Sequence, residues 1–163
     1  MIERVHKFKY LGRWLADNDN DTYSITDNLK KARQKWNCLA LILKKEGANA
    51  VCIAHFYMVI VKIVLLYGAD SWMLTERNLK RLKSFHDRAV RYITGYHIKK
   101  KRDEWEYPNH QQLLKESKLL PIEKYLERRR GTLRKYLETS RKDLLRKAKK
   151  MRQHKYNLKK VIW

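Results

Sequence analysis

The side chains in this sequence best equipped for chemistry are cations. Lys30 and Arg33 lie in one stretch of helical periodicity, and Lys80, Arg81 and Arg88 lie in another. Ammonium and guanidinium groups spaced along helix faces suit phosphate oxygens, which demand many donors and no particular base. Bond-breaking chemistry has no comparable support. The G-x-x-x-x-G-K-[ST], G-x-G-x-x-G, H-E-x-x-H and G-x-S-x-G patterns are missing, and His6, His55, His86, His97, His110 and His154 are scattered. The acidic run Asp17-Asn18-Asp19-Asn20-Asp21 has the D-x-D-x-D spacing of a calcium loop. It puts Thr22 and Asn28 where that loop needs Gly and Glu, so no metal site is expected. Cys38 and Cys52 form no C-x-x-C pair and sit in apolar periodic stretches, which predicts buried reduced thiols. No cofactor, small-molecule substrate or independent enzymatic activity is expected.

The whole composition agrees with a polyanionic partner. In 163 residues, 39 Lys and Arg face 17 Asp and Glu, a formal charge of +22. The charge is unevenly placed. Residues 1–95 carry 17 basic and 9 acidic groups (+8), 96–127 carry 7 and 6 (+1), and 128–163 carry 15 and 2 (+13). A 44% hydrophobic content is enough for a core, so the signature of disorder is only half met. Five Gly and two Pro are too few for the turns of an all-β sandwich. The N-terminus shows no uninterrupted apolar run, which predicts no signal peptide and an intracellular site, nucleus or cytoplasm.

These cations need elements to position them. Residues 5–15 predict a short strand pair bent near Gly12, followed by an acidic loop. From Thr26, the spacing of Leu29, Ala32, Trp36, Leu39 and Leu43 predicts a helix capped by Thr26 or Asp27 and closed by Gly47. Residues 50–69 are the most apolar stretch and are long enough to span a bilayer, but His55 and Lys62 interrupt them. A central helix surrounded by the others and ending at Gly68 is expected instead. Thr75 and Glu76 open a third helix, with Leu79, Leu82, Phe85, Ala89 and Tyr92 as its stripe and Gly95 as its end. Residues 96–108 read as a loop, Asn109 caps a short helix, and Pro121 starts a last helix weakened at Gly131. Beyond Thr139, cations outnumber apolar residues, and a helix ordered by a polyanion is expected.

Three collinear segments carry a family resemblance: Phe8-Lys9-Tyr10-Leu11-Gly12, then Leu65 to Trp72 reading LLYGADSW, then Leu82 to Gly95 reading LKSFHDRAVRYITG. Together they resemble the C-terminal part of the reverse transcriptase of non-LTR (LINE-type) retrotransposons, with its FKYLG, LLYGxExW and LxxFHxRxxRxIxG segments. The resemblance implies that Phe8 to Gly12 form the primer-grip hairpin, with Tyr10 and Gly12 on the primer side. Residues 25–95 would then be the thumb, closing over a template–primer duplex. Leu120 to Glu123 and Arg128-Arg129-Arg130 resemble the family's LPxxE and RxRR continuation, which adds those three arginines to the phosphate contacts. The family's paired catalytic aspartates and its cysteine/histidine knuckle have no counterpart, Asp70 replaces a Glu, and Ile63 replaces a proline.

The expectation is a mainly α fold: a thumb-like helical bundle with a short N-terminal β-hairpin and a basic C-terminal helix. Its parts are 1–24 (hairpin and acidic loop), 25–95 (thumb-like bundle), 96–140 (loop and accessory helices) and 141–163 (basic tail). The expected function is binding of RNA or an RNA–DNA duplex through the backbone, as a fragment of an RNA-directed DNA polymerase without its own polymerase centre. A separate polymerase palm is the expected protein partner. The alternative is a non-enzymatic basic module that binds RNA or an anionic membrane surface through its C-terminal helix.

Overall fold

The computed structural model describes residues 6–16, 21–96, 99–101, 104–106 and 109–160, with side chains placed for 6–16, 21–96 and 109–147. It is mainly α, as expected. Strands β1 (Lys7–Tyr10) and β2 (Arg13–Ala16) pair antiparallel, with Phe8 opposite Leu15 and Tyr10 opposite Arg13. Leu11 and Gly12 both take positive φ, 46° and 80°, the two-residue turn whose twist matches the strands. Gly12 suits that backbone. Leu11 is strained in it and is held by Tyr67, whose Oη donates to the Leu11 carbonyl at 2.8 Å.

Helix α1 (Thr22–Lys45) starts five or six residues earlier than the Thr26 or Asp27 cap predicts, with Asp21 at the cap position. Asp21 is buried and makes no cap bond. Its Oδ1 accepts from Arg13 Nη2 at 2.6 Å and its Oδ2 from the Met73 backbone at 2.7 Å, so one carboxylate ties the hairpin, α1 and the 69–75 segment together. The other acidic-loop residues, 17–20, lie outside the described residues. The boundary placed at residue 24 therefore falls within α1.

The apolar stretch forms α2 (Ala50–Phe56), a π-turn (Tyr57–Val61) and α3 (Lys62–Leu65). In the π-turn the Lys62 N–H bonds to the Tyr57 carbonyl, five residues back. Tyr57, Val61, Leu65 and Leu66 are fully buried, and Asn28 from α1 donates to the Leu65 and Tyr67 carbonyls, satisfying helix-end acceptors. The stretch is covered on one side only: Val51, Phe56, Val59, Ile63 and Tyr67 are exposed, which corrects the expectation of a helix enclosed by its neighbours. Among the described residues no helix is long and apolar enough to cross a membrane.

Helix α4 (Glu76–Thr94) follows the expected limits. Thr75 Oγ1 accepts from the Asn78 N–H, and Gly95 at φ 70° ends it. Trp36 meets Tyr57 and Tyr92 edge-on at 5.4 and 5.6 Å, which locks α1, the π-turn and α4 around one aromatic centre. His86 is fully buried. Its Nε2 lies 2.9 Å from the Leu120 carbonyl, which can only accept, so Nε2 carries the proton and Nδ1 accepts from Tyr57 Oη at 2.8 Å.

The segment read as a loop contains a second hairpin, β3 (Lys99–Lys101) and β4 (Glu104–Glu106). Its antiparallel register sets Lys99 opposite Glu106 and Lys101 opposite Glu104. Helix α5 (His110–Ser117) is capped by Asn109 as predicted. Helix α6 (Ile122–Lys160) is continuous through Gly131. The compact body ends at Leu126, between the boundaries expected after residues 95 and 140, and Glu127 onward forms a second unit. Cys38 and Cys52 are unbridged, but Cys38 is exposed and Cys52 only half-buried, contrary to expectation. Cys38 sits about 200° around α1 from the buried Trp36, so its apolar neighbours in sequence are not its neighbours on the core face.

Candidate nucleic-acid interface

Helices α1 and α4 lie side by side and parallel. Asn78 Nδ2 donates to Thr22 Oγ1 at 2.9 Å, Arg81 Nη2 to Thr26 Oγ1 at 3.0 Å, and Tyr92 Oη to the Ala40 carbonyl at 3.3 Å, so contacts advance together along both helices. At about 100° per residue, Thr22, Thr26, Arg33 and Lys44 fall within about 40° of one line on α1, and Arg81, Arg88 and Tyr92 do so on α4. The seam between the helices is thus lined by cations on its solvent side. The paired residues are separated by 56, 55 and 52 positions along this register, which sets Arg33 within about one helical turn of Arg88.

Lys30, Arg33, Lys80 and Arg88 are exposed, and none is ion-paired to a carboxylate among the described residues. Arg88 Nη2 donates to Ser84 Oγ at 3.3 Å, which steadies it along the helix. Arg81 is half-buried and spends donors on Thr26 and, at 3.3 Å, on Asn78 Oδ1, so it holds the seam together first and offers only its remaining donors outward. Lys30 and Lys80 flank the row on its two outer sides. Other cations are committed elsewhere: Lys31 to Asp27 at 2.8 Å and Lys83 to Glu123 at 3.2 Å. The Lys31 hydrogen bond holds the Asp27 carboxyl below its ordinary range, so the one acid beside Lys30 stays paired.

The hairpin meets α1 through its Lys7 and Lys9 face: Lys7 Nζ lies 4.7 Å from the Tyr23 ring centre, and Lys9 Nζ lies 4.0 Å from Asp27. Alternation puts Tyr10 on the opposite face, so Tyr10 is exposed but not gathered with the seam cations. Gly12 serves the turn. Arg128, Arg129 and Arg130 belong to the second unit, on α6.

One seam cation was absent from the candidate contacts. Lys44 Nζ sits 5.3 Å from the Tyr92 ring centre, at the far end of the same row. Its signal in the sequence was the eleven-residue step from Arg33, three helical turns on one line. Among the described residues no group of three or more His, Cys, Asp or Glu side chains is placed to hold a metal. The arrangement can neutralise phosphates along a line of about 15–20 Å, the span from Arg33 to Lys44. No protein-family model matches the chain, and comparison with curated proteins and with solved structures gives no match.

Proposed function

We propose that this chain binds the backbone of a nucleic-acid duplex, RNA or RNA–DNA, as a thumb-like module of the non-LTR reverse transcriptase type, with no polymerase centre among these residues. The observation that carries the reading is the row of cations along the α1/α4 seam, in which Arg33 and Arg88 have no carboxylate partner among the described residues. Phosphate neutralisation by about four side chains gives a log–log salt slope near −3.6, so affinity falls about a hundredfold between 50 and 200 mM salt from the seam alone.

The test is fluorescence anisotropy with a labelled RNA–DNA hybrid across that salt range, for the native chain and for Arg33→Glu with Arg88→Glu. The double variant, with an unchanged circular dichroism spectrum, binds at least tenfold more weakly and with a salt slope shallower by about two. Equal affinity and slope in the variant would remove the seam as the binding surface.

One observation favours the second reading. Helix α6 exposes Tyr136, Leu137 and Leu144 among its many cations, a mixture that also suits an anionic bilayer surface. Co-sedimentation with phosphatidylserine vesicles after nuclease treatment, lost on Leu137→Glu with Leu144→Glu, would establish it in place of duplex binding.

A further inference from the structure

Four of the five glycines take positive φ at a turn or a helix end, and Gly131 is the exception. It lies inside α6, where an added Cβ would meet nothing within 4 Å, so neither the backbone nor packing calls for glycine there. Its effect is to weaken the helix. The next residue adds to the weakness, because Thr132 Oγ1 donates to the Arg128 carbonyl at 2.9 Å, a back-bond that competes with the helical ladder. None of the side chains described from Glu127 to Lys147 is buried, so burial lends this part of α6 little support.

The weak segment reads Arg128-Arg129-Arg130-Gly131-Thr132-Leu133. Thr132 alone among the serines and threonines has arginines at both the third and the second position before it. Guanidiniums so placed offer bidentate partners to carboxylates in the substrate cleft of a protein kinase, and charge patterns of this kind select the acceptor. In the closed helix Arg130 lies about 200° around the axis from Thr132, so only an opened segment presents the acceptor and both arginines together. Ser84 has Arg81 at the same third position, but Leu82, Phe85 and His86 beside it are buried. Helix α4 therefore cannot open there without exposing the core.

We propose that Thr132 is the phosphate acceptor for a protein kinase that uses ATP and reads Arg129 and Arg130. In the transfer the Thr132 Oγ1–H bond breaks and its proton passes to the kinase's catalytic aspartate. Oγ1 bonds the γ-phosphorus, and ADP leaves with the electron pair of the broken P–O bond. When the helix closes again, Arg128 and Arg129 stand four and three residues before the phosphate and Lys135 three after it, the positions that neighbour it on a helix surface. About two negative charges thereby enter residues 128–163, which carry 15 basic and 2 acidic groups. The consequence is a weaker hold of α6 on polyanions. That consequence rests on the nucleic-acid binding proposed above; the acceptor assignment does not.

The test incubates the full chain with ATP and the catalytic subunit of the cyclic-AMP-dependent protein kinase, read by intact and fragment mass spectra. The native chain takes up phosphate on Thr132, and Thr132→Ala takes up none in the same time. Gly131→Ala keeps the acceptor and both arginines but makes the opened segment about fivefold rarer. Its initial rate falls by that factor once divided by the rate ratio of the two matching peptides, residues 126–137. No uptake, uptake on another residue of the native chain, or equal corrected rates for the native chain and Gly131→Ala would each overturn the proposal. Anisotropy with the labelled RNA–DNA hybrid then compares phosphorylated with unmodified chain, in the native background and with Arg33→Glu and Arg88→Glu. The phosphate makes the log–log salt slope shallower by about two in both backgrounds. Equal slopes would overturn the effect on polyanion binding. A chain that binds no hybrid in either form would instead remove the nucleic-acid reading, and uptake on Thr132 would still support the acceptor.

Discussion

His86 makes the body of this protein sensitive to mild acid in a way that can be measured. Burial pushes its imidazole from 6.5 down to about 4, with the Leu120 carbonyl opposing the shift and His110 and Lys62 assisting it. The folded chain therefore takes up this proton later than the unfolded chain as pH falls. Stability from the neutral ring is complete above about pH 6.5 and is lost as pH drops from there to about 4, where both states are protonated. The full interval corresponds to about 3 kcal/mol, and the part between pH 7.5 and 5 to about 2 kcal/mol. Stopping at pH 5 stays above the range where Asp27 and Glu123, both held below the ordinary carboxyl range, begin to contribute. The assay is urea denaturation followed by tryptophan fluorescence at 150 mM salt, for the native chain and for His86→Gln. The variant is less stable at pH 7.5, because Tyr57 Oη and the Leu120 carbonyl lose partners, but its curve against pH is flatter than the native one by about 2 kcal/mol over this window. Parallel curves within about 0.5 kcal/mol would show that His86 is not a buried neutral bridge, and the account of the core around it would fail.

Other outcomes follow from single contacts. Asp21→Ala removes the acceptor for Arg13 and for the Met73 N–H and costs about 3 kcal/mol, read as a lower urea midpoint; a loss under about 0.5 kcal/mol would refute the clasp. Leu11→Asn relieves a left-handed leucine in an exposed turn and raises the melting temperature by about 3 °C, whereas a drop would mean that Leu11 makes contacts the turn needs. Gly131→Ala adds a methyl group where nothing lies within 4 Å and stabilises α6 by about 1 kcal/mol, seen as helical ellipticity that persists to higher temperature. Unchanged ellipticity would argue against a continuous helix there.

Most elements were legible in the sequence because they obey local rules. The α4 limits follow from Thr75 and Gly95, α5 from Asn109, and the first turn from Gly12. What escaped depends on contacts distant in sequence. The start of α1 moved because Asp21 is drawn to Arg13 and Met73 rather than to a helix end. The exposure of Cys38 is hidden in the sequence because apolar neighbours along the chain say little about direction around a helix, and β3 with β4 is visible only through cross-strand register. At the candidate site, spacing along each helix picked out the cations, but only the parallel packing of α1 on α4 ranks them. It separates Arg33 and Arg88, which face out, from Arg81, which is partly consumed in holding the seam.

The three segments behind the family resemblance turn out to be joined to one another or to the core. Tyr67 of the second segment clasps the Leu11 carbonyl of the first, and Gly68 beside it takes the left-handed backbone at φ 74°, which a side chain would strain. His86 of the third segment bonds Tyr57 and Leu120 in the interior. Residues of this kind are constrained by architecture, and a chain could keep them while its binding surface drifted. The cations of the seam answer to a different constraint, because a lysine or arginine without a carboxylate partner gains little from folding and is favoured only by what it meets in solution. The contacts of these three segments therefore concern the architecture, and the salt slope of Arg33→Glu with Arg88→Glu is the measurement that bears on the ligand itself.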